Sequence, residues 1–216
     1  YLYLWSYNKK EYFLLLVGGV RLRGSEWRRW DLHVHTASSE DYKYKQTDAD
    51  QKLVNAWKEN NIEVVAVTDH FLIDADRIKK LRELAPEITI FPGVELRTDK
   101  GSSNIHVIII FSEQKDLDIL AQDFNAIMLR QKAKGTTAEK SSNFDSIYWD
   151  YEDIVTFAKD QSGIISIHAG RKTNGIDEEI NNKDFFRMAI KSEYAQTVKI
   201  YEVNNSKSLK EYTEKV

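Results

Sequence analysis

Five histidines are the residues best suited to chemistry in this chain of 216. They stand at 33 and 35 in Asp31-Leu32-His33-Val34-His35-Thr36, at 70 in Val67-Thr68-Asp69-His70, at 106 in Asn104-Ile105-His106-Val107, and at 168 in Ile167-His168-Ala169-Gly170. Imidazole binds divalent zinc, manganese and iron through a ring nitrogen, and nearby carboxylates balance the metal charge. Asp69, beside His70, and Glu95, in Pro92-Gly93-Val94-Glu95, are such carboxylates, and Glu95 could bridge two ions. A single histidine on an apolar run is more often a satisfied core residue than a ligand. All five beside strand ends are hard to explain that way. The chain has no cysteine, which removes disulfides, thiolate sites and a cysteine nucleophile, so a metal here must use nitrogen and oxygen. Lack of cysteine also fits a reducing cytoplasm, the compartment expected for this chain.

The elements that must position these residues read as alternating strands and helices. Apolar β-rich runs lie at 32–34, 62–67, 88–91, 105–111, 164–167 and 198–203, and helical patterns at 48–60, 74–84, 117–129 and near 151–160. That alternation predicts a parallel α/β fold, in which successive strand ends converge on one face. Residues two apart on a strand point the same way, so His33 and His35 can face one ion. Pro86 and Pro92 are expected in connections flanking the third strand. The polar stretch 131–143 reads as a loop and 206–216 as a charged helical tail. Nothing divides the chain into two cores.

A formal net charge of -3 gives no global attraction to nucleic acid, so contact with a polyanion requires a local patch or bound metal. The apolar run 12–17 is much shorter than the roughly 20 residues of a membrane helix, and no signal-peptide cleavage site follows it. No membrane partner is expected. P-loop, GxGxxG and zinc-finger patterns are all missing from the sequence.

Taken together, His33-Val34-His35-Thr36, Thr68-Asp69-His70, Gly93-Val94-Glu95, His106 and His168 resemble, in order, the motifs of the PHP (polymerase and histidinol phosphatase) family. The match spans residues 30 to about 205, and its ordered combination is far more specific than any one piece. The amidohydrolase superfamily shares the opening His-x-His, but Thr-Asp-His and Pro-Gly-Val-Glu fit PHP better. The resemblance implies a distorted (β/α)7 barrel with metals at the C-terminal strand ends. It implies that His33, His35 and Glu95 hold one ion, that Glu95 bridges to a second held by His106 and His168, and that His70 belongs to a third. The family's closing Asp-x-His is not matched, and Ser38, Ser39, Glu40 and Asp41 stand where another third-site histidine is often found. The barrel is therefore expected to be truncated before its last strand, or its third site degenerate. The words around 23–31 and 168–174 look like PHP modules of TrlF-type proteins, which carry a downstream ABC/SMC-like ATPase. On that likeness the fold covers 23–216, residues 1–22 lie outside it, and the full-length chain includes an ATPase domain.

What the resemblance implies is a phosphoesterase with two or three divalent ions, zinc, manganese or iron. Its substrate is a phosphate ester, with nucleic acid among the candidates. Arg171 and Lys172, just past His168, are placed to grip a phosphate, and Asp69 could act in proton transfer or orient a ligand. Three readings stay open at this point: a hydrolase of phosphate esters, a nuclease module controlled by an ATPase, and a degenerate PHP fold used only for interaction.

Overall fold

The computed structural model of the chain describes residues 28–99, 104–133, 147–169, 175 and 197–203. The expected N-terminal extension, most of the 131–143 loop, the 206–216 tail, Arg171 and Lys172 lie outside the described residues. Strands β1 (Arg29–Val34), β2 (Ile62–Val67), β3 (Thr89–Arg97), β4 (His106–Ile110), β5 (Ile164–Ala169) and β6 (Val198–Val203) form one six-stranded sheet in chain order. Helices α1 (Ala49–Glu59), α2 (Ala75–Leu84), α3 (Leu117–Ala133) and α4 (Tyr151–Asp160) connect them. The sheet curls as half of a barrel. Residues 131–133, expected to open a loop, continue α3 instead.

Two apolar layers hold the sheet. On its helix side, Val54 and Trp57 of α1, Ile78 and Leu81 of α2, and Ile154 and Phe157 of α4 pack against Val65, Val107 and Ile109. Their spacing of three is one face of a helix. Inside the curl, Leu32, Val64, Ala66, Ile108 and Ile110 form a smaller cluster. All five residues of β4 are therefore buried, because both faces of the strand are covered. Each such Leu, Ile or Phe contributes roughly 1.5–3 kcal/mol. Among the described residues no helix is long and apolar enough to cross a membrane.

The sheet is not all parallel, contrary to the sequence expectation. β4 runs antiparallel to both β3 and β5, while β1–β2, β2–β3 and β5–β6 are parallel. The β3–β4 connection, 98–105, is too short for the crossover of about a dozen residues that parallel strands require. The reversal has a functional consequence. The start of β4 lies at the same end of the sheet as the finish of the other strands, so His106 opens its strand and still faces the mouth.

Pro92 is likewise inside β3 and not in a connection. β3 pairs with β2 over 89–92 and with β4 over 93–97, so Pro92 stands where the ladder changes sides. A Cβ on the next residue, Gly93, would lie 2.8 Å from Ile109 O and 2.9 Å from Thr68 Cγ2. Only glycine admits that approach, which carries the strand onward to Glu95.

Candidate metal centre

Glu95 is the hub of the strand-end cluster. Its side chain comes off β3 at 1% exposure and meets a histidine from every side. Oε2 lies 2.8 Å from His33 Nε2, 3.0 Å from His35 Nε2 and 3.7 Å from His70 Nδ1. Oε1 lies 2.5 Å from His106 Nδ1 and 3.7 Å from His168 Nε2. His33 and His35 point the same way off β1, with their Nε2 atoms 3.0 Å apart. His70 is placed by a short extension of the β2–β3 pairing: Glu95 N–H donates to Asp69 O at 3.1 Å, and Phe71 N–H to Glu95 O at 3.0 Å. Phe71 takes a positive φ of 52° to make that turn, at a cost on the order of 1–2 kcal/mol. Burial of its ring offsets the cost.

Sequence reasoning missed Glu202. This β6 carboxylate lies 3.0 Å from His33 Nδ1 and 3.4 Å from His168 Nε2. Holding one ring nitrogen of a histidine turns the other toward an ion, as carboxylate partners of metal-bound histidines do. The available signal was an acidic residue near the end of an otherwise β-rich run, the same kind of position as Glu95. Asp41 also has a closer relation to the cluster than its place in a loop indicated. Its carboxylate lies 3.7 Å from His35 Nδ1 and 3.5 Å from His70 Nε2. Ser39, fully buried, donates to Asp41 Oδ1 at 2.7 Å and sits 3.1 Å from His35 Nδ1.

Asp69 accepts both the N–H and the hydroxyl of Thr36, each at 2.6 Å. It thereby pins the loop after β1, which carries Ser39 and Asp41. Ser38 of the same loop donates to Asp74 at 2.5 Å, and Arg77 binds both Ser38 and Asp50. Asp74 in turn caps α2, accepting from Arg77 N–H at 3.0 Å. Arg97, the last residue of β3, directs Nε to His106 Nε2 at 3.4 Å. A cleft of about 600 Å³ between β1 and β6 reaches the cluster and is lined by Trp30, His33, His35, Tyr42, Trp57 and Glu202 among others.

The electrostatics are uneven across the cluster. Burial alone would raise the Glu95 pKa, but hydrogen bonds with His106, His33 and His35 hold it well below the usual carboxylate range. Burial would lower His33, yet Glu202 and Glu95 outweigh it and raise its pKa to about 9. For His70 burial prevails, and its pKa falls to about 4. Burial also raises Asp69, against the hydrogen bonds from Thr36.

The donor set fits divalent metal. Adjacent ligands on one ion stand on the order of 3.0–3.5 Å apart when each bond is about 2.0–2.2 Å, and His33 Nε2, His35 Nε2 and Glu95 Oε2 are mutually 2.8–3.0 Å apart. Two triads, His33–Glu95–His168 and His35–Asp41–His70, each bring three ligand atoms within 4.8 Å of one another. All six histidine and glutamate positions expected to bind metal are thus in one cluster. Arg171 and Lys172 lie outside the described residues.

No family model matches the sequence, and no curated protein matches it. Solved structures do match. One, a candidate metal-dependent phosphoesterase from Bifidobacterium adolescentis, aligns over 87% of this chain and 82% of its own, with TM-score 0.55 and 11% identity. Another, an amidohydrolase from Chromobacterium violaceum with bound sulfate and no metal, aligns over 86% and 82%, with TM-score 0.57 and 11% identity. At that identity the likeness is one of fold. It agrees with the expected distorted α/β barrel.

Proposed function

We propose that the chain is a metal-dependent hydrolase of phosphate esters. The observation that carries the reading is Glu95, a buried carboxylate with five imidazoles within 3.7 Å and its two oxygens facing different histidines. His33, Glu95 and His168 would hold one divalent ion and His35, Asp41 and His70 another. Zinc, manganese and iron suit such a nitrogen and oxygen set. Bound there, the ions would make hydroxide available near neutral pH and offset charge on phosphoryl oxygens. The protein's own part is positional. Glu202 orients His33, Ser39 orients His35 and Asp41, and Asp69 fixes the loop that carries them. On this reading Asp69 is a positioning residue, and Arg171 and Lys172 remain proposed substrate contacts.

The phosphate reading draws on the motif resemblance and on two features of the fold neighbours: one is described as a candidate phosphoesterase, and the other holds sulfate, a tetrahedral oxyanion like phosphate. The finer form, a nuclease module controlled by an ABC/SMC-like ATPase, would require ATP-dependent cleavage of DNA by the full-length protein.

The test compares the chain with Glu95→Gln, which keeps size and removes charge. Bound metal is counted by elemental analysis, and turnover is measured on p-nitrophenyl phosphate, its bis ester and a panel of amides. The variant should lose at least roughly tenfold in metal affinity and turnover, since even outer partners of a metal site are worth that much. Unchanged metal content and turnover would remove Glu95 from the site. Hydrolysis of amides but of neither phosphate ester would move the protein to a different reaction class.

A further inference from the structure

The loop that carries Asp41 is tied down on a second flank, through groups that are not themselves expected to bind metal. Three hydroxyls leave the loop in different directions: Thr36 to Asp69, Ser38 to α2, and Ser39 inward to Asp41 and His35. The Ser38 hydroxyl gives its one proton to Asp74 Oδ2 and accepts from Arg77 Nε. Arg77 is in turn held from α1. Its Nη1 donates to Oδ1 of Asp50, a buried carboxylate whose Oδ2 takes Lys80 Nζ at 2.7 Å.

A cation in the first turn of a helix is opposed by the helix dipole, so the dipole of α2 does not account for Arg77. What does account for it is geometry. A guanidinium presents its donors in a rigid planar fork, and its bonds to a carboxylate are about twice as strong as neutral ones. One fork therefore joins α1, α2 and the loop after β1. Asp41 has more need of such support than the strand ligands, because it is exposed and lies in a loop while facing His35 and His70 at 3.7 and 3.5 Å. A loop ordered only when an ion arrives weakens that ion by the entropy lost, and a loop ordered beforehand does not.

We propose that Arg77 is a positioning residue for the metal centre: locked to Asp50, it clamps Ser38 and so sets the Ser39–Asp41 turn in advance for the ion held by His35, Asp41 and His70. This role rests on reading that triad as a metal site.

Release of ions from the manganese-loaded chain into excess chelator reads each position. Hydrogen exchange at the amides of Ser39 and Tyr42, which donate to Thr36 O at 3.0 Å and Ser39 O at 3.3 Å, reads the turn. Arg77→Gln should weaken the ion beside Asp41 roughly threefold to tenfold, the worth of one hydrogen bond, spare the ion at His33, Glu95 and His168, and speed exchange at both amides. Arg77→Lys keeps the charge without the fork and should restore little. Ser38→Ala leaves the Arg77–Asp50 pair in place and should reproduce most of the loss, so it decides alone if Arg77→Gln does not fold. Because the two residues act in series, the double variant should lose no more than Arg77→Gln. Unchanged affinity at the Asp41 position would overturn the proposal. So would equal loss at both ions, which would make Arg77 a general support of the fold, or full rescue by Arg77→Lys, which would make its effect one of charge. A parent chain that takes up no metal would sink the hydrolase reading. The clamp itself would then stand if Arg77→Gln speeds exchange at Ser39 and Tyr42, and fall if it does not.

Discussion

The two triads of the cluster use similar ligands and hold them differently. His33, Glu95 and His168 come from β1, β3 and β5, inside the hydrogen-bonded sheet, and Glu95 and His168 are 1% and 4% exposed. His35, Asp41 and His70 stand just past strand ends or in a loop, and the Asp41 side chain is 56% exposed. The first triad is held by backbone ladders. In the second, backbone bonds on either side of His70 fix only that residue, while Asp41 and His35 depend on side-chain bonds that run from Asp69 through Thr36 to the loop of Ser39 and Asp41. A buried ion gains more from each carboxylate than one screened by water. On the proposed reading the cluster would hold one ion firmly and exchange the other, with local rigidity and solvent setting the difference.

The largest effect that could break this contrast is in metal release. Against excess chelator, the loaded protein should lose its ions in two phases, the rim ion first. Asp41→Asn should weaken the fast-leaving ion about tenfold and spare the slow one, while Glu202→Gln should weaken the slow one by a similar factor. A single release phase, or the same response to both substitutions, would show that the two positions are not distinct.

A smaller effect is expected one bond further out. Ser39→Ala removes the hydroxyl between His35 and Asp41 and should weaken the rim ion only a few-fold, in keeping with roughly 0.5–1.5 kcal/mol for one hydrogen bond. An equal change at the slow ion would contradict the assignment of Ser39 to the rim.

The smallest is a pH effect on the chelator-treated protein. His33, raised from 6.5 to about 9, contributes stability that is full below pH 6.5 and is lost as pH rises through 9. His70, lowered from 6.5 to about 4, takes up its proton more readily when unfolded, so stability is lost as pH falls from 6.5 toward 4. Melting temperature should therefore decline by a few degrees on each side of about pH 6.5. His33→Gln should flatten the alkaline limb and His70→Gln the acid limb. If either substitution flattens the opposite limb, the electrostatic contrast between the triads is wrong.

Much of the cluster was legible in the chain because its signals are local. His33 and His35, two apart on a strand, had to share a side, and Glu95 was a carboxylate at the same kind of strand-end position as the histidines. Glu202 was not legible. One glutamate in a β-rich run carries no sign of what it faces, and its partner His33 is 169 residues away. Asp41 was legible only as one of four residues standing where a third-site histidine is often found, since a loop has no periodicity from which to infer direction. His106 was found by type, but its position at the start of a strand made sense only once β4 proved antiparallel.

Side-chain chemistry and strand period belong to each residue and its immediate neighbours, so the amino-acid sequence by itself determined the five histidines and Glu95 as candidate ligands and the exclusion of thiolate chemistry. Tertiary structure alone decided which ligands stand together. The reversal of β4, the hand-over of β3 at Gly93 and the loop pinned by Asp69 bring residues as far apart as 33 and 202 within hydrogen-bond reach. Such contacts depend on how the whole sheet closes upon itself, which no local pattern encodes.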